Sequence, residues 1–203
     1  MTTSKKTFLA LILLSLFILS FLLYKTYTSS SVALLSEKEG TGIATIGGDF
    51  QLIDHTGKMR SNKEFHGQFM MVYFGYRYCP DICPTALTTI TETLNALGPK
   101  AKHIQPIFIT IDPERDTVET LAEFIPNFHS QFIALTGNAE QIESVKKHYK
   151  VFAQKAEYVE GTDNYVVDHS SIIYVMDRQG HLIAHFNHST PSENIVSALR
   201  RYL

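Results

Sequence analysis

The chain has 203 residues and a formal charge of −2, with 18 basic against 20 acidic side chains. That balance leaves no basic stripe to neutralise phosphates, which excludes nucleic acid as a partner. The length fits one domain with a substantial core plus an appendage, and no repeat of solenoid period runs through it.

Lys5 and Lys6 precede an apolar run from Phe8 to Tyr24, interrupted only by Ser15 and Ser20. At ~1.5 Å per residue, a helix of that length just crosses the ~30 Å hydrocarbon core of a bilayer. The two lysines favour a cytoplasmic N-terminus, which places the rest of the chain on the far side. Ser31-Val32-Ala33 resembles a signal-cleavage site, but the run is longer than a usual signal core and the site lies far beyond its end. The expectation is a cytoplasmic N-terminus and transmembrane anchor over 1–25, a Ser-rich tether over 26–45, and one domain over 46–203. With no lipobox cysteine and no Arg/Ser-rich transit peptide, a bacterial inner membrane is the expected home, the domain facing the periplasm.

Gly47-Gly48 opens an alternating segment (Phe50, Leu52, Asp54) that turns at His55-Thr56-Gly57, an N-terminal β-hairpin. Phe69 to Phe74 is a continuous apolar run of the kind found in strands covered on both faces. A helical pattern (Leu87, Ile90, Leu94, Leu97) runs from Pro84 to Leu97 and stops at Gly98-Pro99. Ile104 to Ile111 reads as a second buried strand that ends in Asp112-Pro113-Glu114-Arg115-Asp116, with a helix bearing Leu121, Phe124, Ile125 and Phe128 after it.

Gln131 to Leu135 reads as a short strand. Asn138 and Gln141 form the capping box of a helix that reaches Tyr149. A hairpin-like insertion from Phe152 to Tyr165 leads to Asp168-His169-Ser170, just ahead of strand Ile172–Met176. A turn at Asp177-Arg178-Gln179-Gly180 connects to strand His181–Phe186, and Thr190-Pro191-Ser192-Glu193 reads as the capping box of the last helix. Strand and helix alternate first, and an antiparallel hairpin plus a helix come last. That order, with a cysteine pair after the first central strand, predicts an α/β thioredoxin-like fold with an added N-terminal β-hairpin and an inserted hairpin.

Cys79 and Cys83 are the only two cysteines, placed four apart where strand gives way to helix. Positions four apart near a helix start share a face, and the helix N-terminus favours thiolate over thiol. The pair is either a redox couple or the soft half of a metal site. A structural staple closing so short a loop would stabilise little. Three intervening residues still permit a disulfide and also leave room for an ion between the sulfurs. Two thiolates suit Cu(I), and an added imidazole makes a site that also holds Cu(II).

Among nine histidines, His169 is singled out, because the strand order places it across the active-site end from the cysteines. His181 and His185 share a strand face but lie roughly 13 Å apart at ~3.3 Å per residue, too far to chelate one ion. His129 and His188 read as loop residues. Asp112, at the end of the second strand, is a candidate oxygen ligand, a proton acceptor for a cysteine, or the cap of the helix beginning near Asp116. Tyr76 and Tyr78 flank the cysteines as packing or rim residues. A peroxidase of the same fold needs a Ser or Thr hydroxyl before its cysteine, where this chain has Tyr76-Arg77-Tyr78.

Three strings taken together, Cys79-Pro80-Asp81-Ile82-Cys83-Pro84, Asp112-Pro113-Glu114-Arg115-Asp116 and Asp168-His169-Ser170, resemble the Sco/SenC family, over about residues 45 to 203. The resemblance implies a membrane-anchored copper chaperone that binds Cu(I) and Cu(II) through Cys79, Cys83 and His169, with Asp112 behind them or as an optional ligand. It implies cytochrome c oxidase subunit II, whose binuclear copper centre is assembled, as partner, together with an upstream copper donor and a thiol reductant. Some members instead, or also, act as thiol-disulfide reductases on that subunit, which would make Cys79 the attacking and Cys83 the resolving thiol. Tyr76-Arg77-Tyr78 departs from the Phe-Thr-containing turn of many members. The cis-proline loop that thioredoxins set opposite their cysteines is missing from the sequence, and the Asp168-His169 segment is expected in its place.

Overall fold

Seven consecutive buried residues, Phe69–Gly75, form the central strand β3 of the computed structural model, which describes residues 17–21, 45–156 and 165–203. The apolar run has no polar face because helices cover both sides of it. Tyr73 of β3 meets Cys83 of helix α1 (Ile82–Leu97), and the next residue, Phe74, packs at 5.2 Å on Tyr149 of helix α3 (Ala139–Tyr149). Successive strand residues point to opposite faces, so these two helices lie on opposite sides of the sheet.

The sheet has seven strands in the order β2-β1-β5-β4-β3-β8-β9. Its parallel centre is β3, β4 (Ile104–Thr110) and β5 (Ile133–Thr136). The antiparallel hairpin β1 (Gln51–Asp54) and β2 (Met59–Ser61) extends one edge, and β8 (Ile172–Met176) with β9 (Leu182–Asn187) extends the other. Helix α2 (Val118–Phe124) packs near β5, and α1 packs on the last helix, α4 (Ser192–Leu199). β3–α1–β4 followed by β8–β9–α4 is the predicted mixed α/β order. The predicted insertion, of which residues 157–164 lie outside the described residues, contributes β6 (Ala153–Lys155), which pairs with β7 (Val167–His169) just beyond it as a separate two-stranded ribbon.

Local chemistry explains most element boundaries. The turn after β1 is knotted by the Asp54 carboxylate, which accepts from the Thr56 and Lys58 N–H groups and pairs with Arg60 at 2.7 Å. The Asn138–Gln141 capping box forms as expected. Thr190 does not cap α4: its N–H is spent on the Asn187 carbonyl, and Pro191 occupies the cap position without a side-chain bond. β5 starts two residues later than its apolar pattern, because Gln131 N–H turns back to His129 Nδ1 at 3.3 Å.

The site-bearing unit is Ala44–Leu203. The predicted tether lies outside the described residues, as does most of the predicted anchor. Residues 17–21 are helical, and among the described residues no helix is long and apolar enough to cross a membrane.

Candidate metal centre

Chain direction explains how the cysteines reach the site. β3 ends at Gly75, residues 76–81 form a turn, and α1 begins at Ile82. Cys83 therefore sits in the first turn of α1, whereas Cys79 lies in the preceding turn and not on the helix, as the four-residue spacing alone had suggested. Its sulfur nevertheless serves the helix: Cys79 Sγ accepts from the Cys83 backbone N–H at 3.4 Å, one of the donors that a helix start leaves without a partner. No disulfide joins the two.

The two sulfurs are unequal. Cys83 is fully buried and Cys79 is 8% exposed. The Cys83 thiol directed at Cys79 Sγ, aided by the His169 ring and by backbone N–H groups of Cys83 and Asp81, outweighs burial and holds Cys79 well below the usual thiol range. Cys83 moves the opposite way, because its proton is shared with Cys79 and burial disfavours a second thiolate. The two shifts run in opposite directions, and together they favour one thiolate beside one thiol.

β7 brings His169 to the same place. Its Nε2 lies 3.4 Å from Cys83 Sγ, and its Nδ1 lies 3.0 Å from the Ser170 carbonyl oxygen. A carbonyl only accepts, so Nδ1 carries a proton there, and Nε2 is the nitrogen that faces the sulfurs. The ring is fixed edge-on between Tyr73 (6.3 Å) and Tyr76 (5.9 Å). One donor atom from each of Cys79, Cys83 and His169 lies within 4.8 Å of the other two, and no further His, Cys, Asp or Glu among the described residues joins this group. A cavity of about 490 Å³, lined by Cys79, Ile82, Phe152, Val166 and His169, opens beside the donors.

Asp112 lies behind the site, buried, with both oxygens engaged. Oδ2 accepts from Arg115 Nε and Oδ1 from the Tyr165 hydroxyl, each at 2.5 Å. It does not cap a helix; Thr117 caps α2. What Asp112 does is hold Arg115, whose guanidinium lies over the rings of Tyr165 (3.5 Å), Tyr78 (5.0 Å) and Tyr76 (5.7 Å). Tyr76 in turn accepts the Val167 N–H at 3.2 Å. The middle sequence string thus braces the cysteine turn against the ribbon that carries His169. Asp116 adds a second brace: its Oδ2 accepts from Arg77 N–H at 3.0 Å and from the Thr110 hydroxyl at 2.7 Å. Burial pushes its carboxyl up to about 6.

Tyr76 is buried and Tyr78 exposed, so the first packs and the second forms the rim. His181 precedes β9 and pairs with Asp177 at 3.3 Å across the turn, so the predicted shared strand face with His185 does not form. His129 accepts from Gln131 N–H, and the His188 N–H binds the Ser171 carbonyl; neither belongs to the metal-type group.

Three residues at the site escape a reading of spacing: Tyr73, Gly75 and Arg115. A phenol inside a fully buried strand needs a polar partner, and that is the signal that would have found Tyr73. A Cβ on Gly75 would stand 2.8 Å from Cys83 Sγ and 3.0 Å from the Tyr73 ring. Gly75→Ala is therefore expected to displace Cys83 from His169 and to cost about 1–3 kcal/mol of stability by overpacking. Thermal melting and metal titration of the variant check both effects.

Comparison with known proteins agrees with this geometry. The SCO1/SenC family model matches residues 38–203. An SCO2-like protein of Rickettsia prowazekii is 45% identical over 141 residues, covering 70% of this chain and 69% of that protein. The bovine mitochondrial SCO2 homologue is 39% identical over 158 residues, covering 77% and 59%. Among solved structures, copper-bound ScoI of Bradyrhizobium japonicum superposes with a TM-score of 0.72 at 40% identity, covering 78% of this chain and 99% of that one. Copper-bound yeast Sco1 gives 0.69 at 34% identity, covering 78% and 91%.

Proposed function

The chain belongs to the SCO1/SenC family, and from that premise we propose that Cys79, Cys83 and His169 bind copper, as Cu(I) and Cu(II), for delivery to another protein. The observation that carries the proposal is the convergence of two sulfurs and one imidazole nitrogen within 4.8 Å beside an open cavity. Sulfur-rich sites select Cu(I), and imidazole extends the set to Cu(II). Binding needs deprotonated ligands, and Cys79 is held in that form, while the Nδ1 contact of His169 with the Ser170 carbonyl leaves Nε2 as the nitrogen turned to the sulfurs. Three protein ligands leave the coordination sphere open on the cavity side, where an incoming thiolate or imidazole can take the ion by ligand exchange.

The acceptor in this reading is cytochrome c oxidase subunit II, whose binuclear copper centre would be filled, with an upstream copper donor and a thiol reductant completing the cycle. The copper-bound relatives support the metal, and family membership supports the oxidase. The apolar segment before residue 25 would anchor the chain in a bacterial inner membrane, with residues 26–45 as tether and the domain in the periplasm. Exposed Phe17, Ile18, Leu19 and Phe21 on the helical residues 17–21 favour such an anchor.

A second reading, a thiol-disulfide reductase acting on that subunit, is favoured by the acidic Cys79 at the cavity wall beside a fully buried Cys83 that can resolve a mixed disulfide. Anaerobic titration of the purified full chain separates the two. One equivalent each of Cu(I) and Cu(II), the latter with a sulfur-to-copper charge-transfer band, is the expected result. Dithiol exchange without stoichiometric copper uptake would replace delivery by reduction.

A further inference from the structure

Tyr73 is the polar interruption in the otherwise apolar strand β3, and it is fully buried. A buried hydroxyl that finds no partner is costly, and this one finds a sulfur: Tyr73 Oη donates to Cys83 Sγ at 3.8 Å. The edge of the same ring packs against His169, with centroids 6.3 Å apart and planes at 75°. Gly75, two residues along the same strand face, leaves the space into which that sulfur fits. One side chain therefore meets both the buried sulfur and the imidazole from within the core.

We propose that Tyr73 is a positioning residue that sets the electron-donating strength of the Cys83 sulfur through the hydrogen bond from its phenol. A donor hydrogen bond withdraws electron density from a thiolate. Toward a metal it weakens sulfur donation, which disfavours Cu(II) more than Cu(I). In the metal-free protein it stabilises the reduced pair over the disulfide, because a disulfide sulfur is the poorer acceptor. The same contact therefore keeps the pair reduced when empty and keeps copper in its lower state when loaded. The second of these effects rests on the copper reading; the first does not.

The test uses the full chain with Tyr73→Phe, which removes one oxygen, beside Tyr174→Phe, which removes a buried phenol that packs on Phe74 and Tyr149 instead. In the metal-free arm, the Cys79/Cys83 pair is equilibrated with glutathione buffers. Tyr73→Phe is expected to shift the equilibrium toward disulfide by about three- to tenfold, tenfold being about 30 mV for a two-electron couple. In the copper arm, the charge-transfer band moves to longer wavelength and the Cu(II)-to-Cu(I) affinity ratio rises several-fold. Tyr174→Phe changes neither. 3-Fluorotyrosine at position 73, a more acidic donor in nearly the same volume, shifts both readouts in the opposite direction. A folded Tyr73→Phe with an unchanged glutathione equilibrium overturns the proposal. If Tyr73→Phe does not fold, the fluorinated variant decides alone, and an unshifted equilibrium there is equally fatal. Failure to bind copper with a shifted equilibrium overturns the copper reading and leaves the role of Tyr73 standing.

Discussion

Replacing His169 by alanine is expected to lower Cu(II) affinity by more than about 100-fold, because loss of a residue merely behind a ligand typically costs 10–100-fold. Cu(I) affinity should fall far less. Cu(I) is satisfied by the two sulfurs, whereas Cu(II) needs the nitrogen that β7 supplies. The difference between the two oxidation states is the diagnostic, since unfolding of the site would remove both. His169 Nε2 is 3.4 Å from Cys83 Sγ, so the variant also leaves that sulfur without its imidazole neighbour, and dithiol exchange should nonetheless persist. Competition titrations with chelators of known Cu(I) and Cu(II) affinity measure both numbers. Undiminished binding of both ions would remove His169 from the ligand set.

The unequal sulfurs give the second large effect. In the metal-free protein, iodoacetamide is expected to modify Cys79, which lines the cavity, and to spare Cys83, which is fully buried. The pH profile carries the sharper information. A free thiol with a pKa near ~8.5 gains on the order of 100-fold in thiolate between pH 6 and 8, and its alkylation rate follows. The Cys79 pKa is depressed, so its charged form exists above the lowered value and is already present at pH 6. Its rate should change less than about twofold across the same interval. Mass spectrometry of the modified peptide gives site and rate together. A steep profile, or first modification at Cys83, would show that the proton sits on the wrong sulfur.

The strands that position this site were legible because their apolar runs are continuous: β3, β4 and β8 are covered on both faces and carry no ambiguous alternation. The Asn138–Gln141 box was legible because both of its partners are local. Three features were not. Spacing alone placed Cys79 on the helix, since it does not reveal that residues 76–81 form a turn bonded elsewhere: Arg77 to Asp116 and Tyr76 to Val167, both far along the chain. The Thr190 box failed because Asn187 competes successfully for the Thr190 N–H. Asp112 stood at the correct sheet edge for a ligand, but its orientation depends on Arg115 and Tyr165, the latter on the far side of the inserted hairpin. For Cys79 and Asp112 a contact distant in sequence overruled a sound local reading, and for Thr190 a competing local bond did.

His169 stands on the two-stranded ribbon, while both cysteines hang from the end of the seven-stranded sheet. An ion held by all three is therefore a rivet between two separate pieces of β-structure. Part of its binding free energy would go into fastening β7 to the cysteine turn, a join that the protein also makes through Tyr76 with Val167 and through Tyr165 with Arg115 and Asp112.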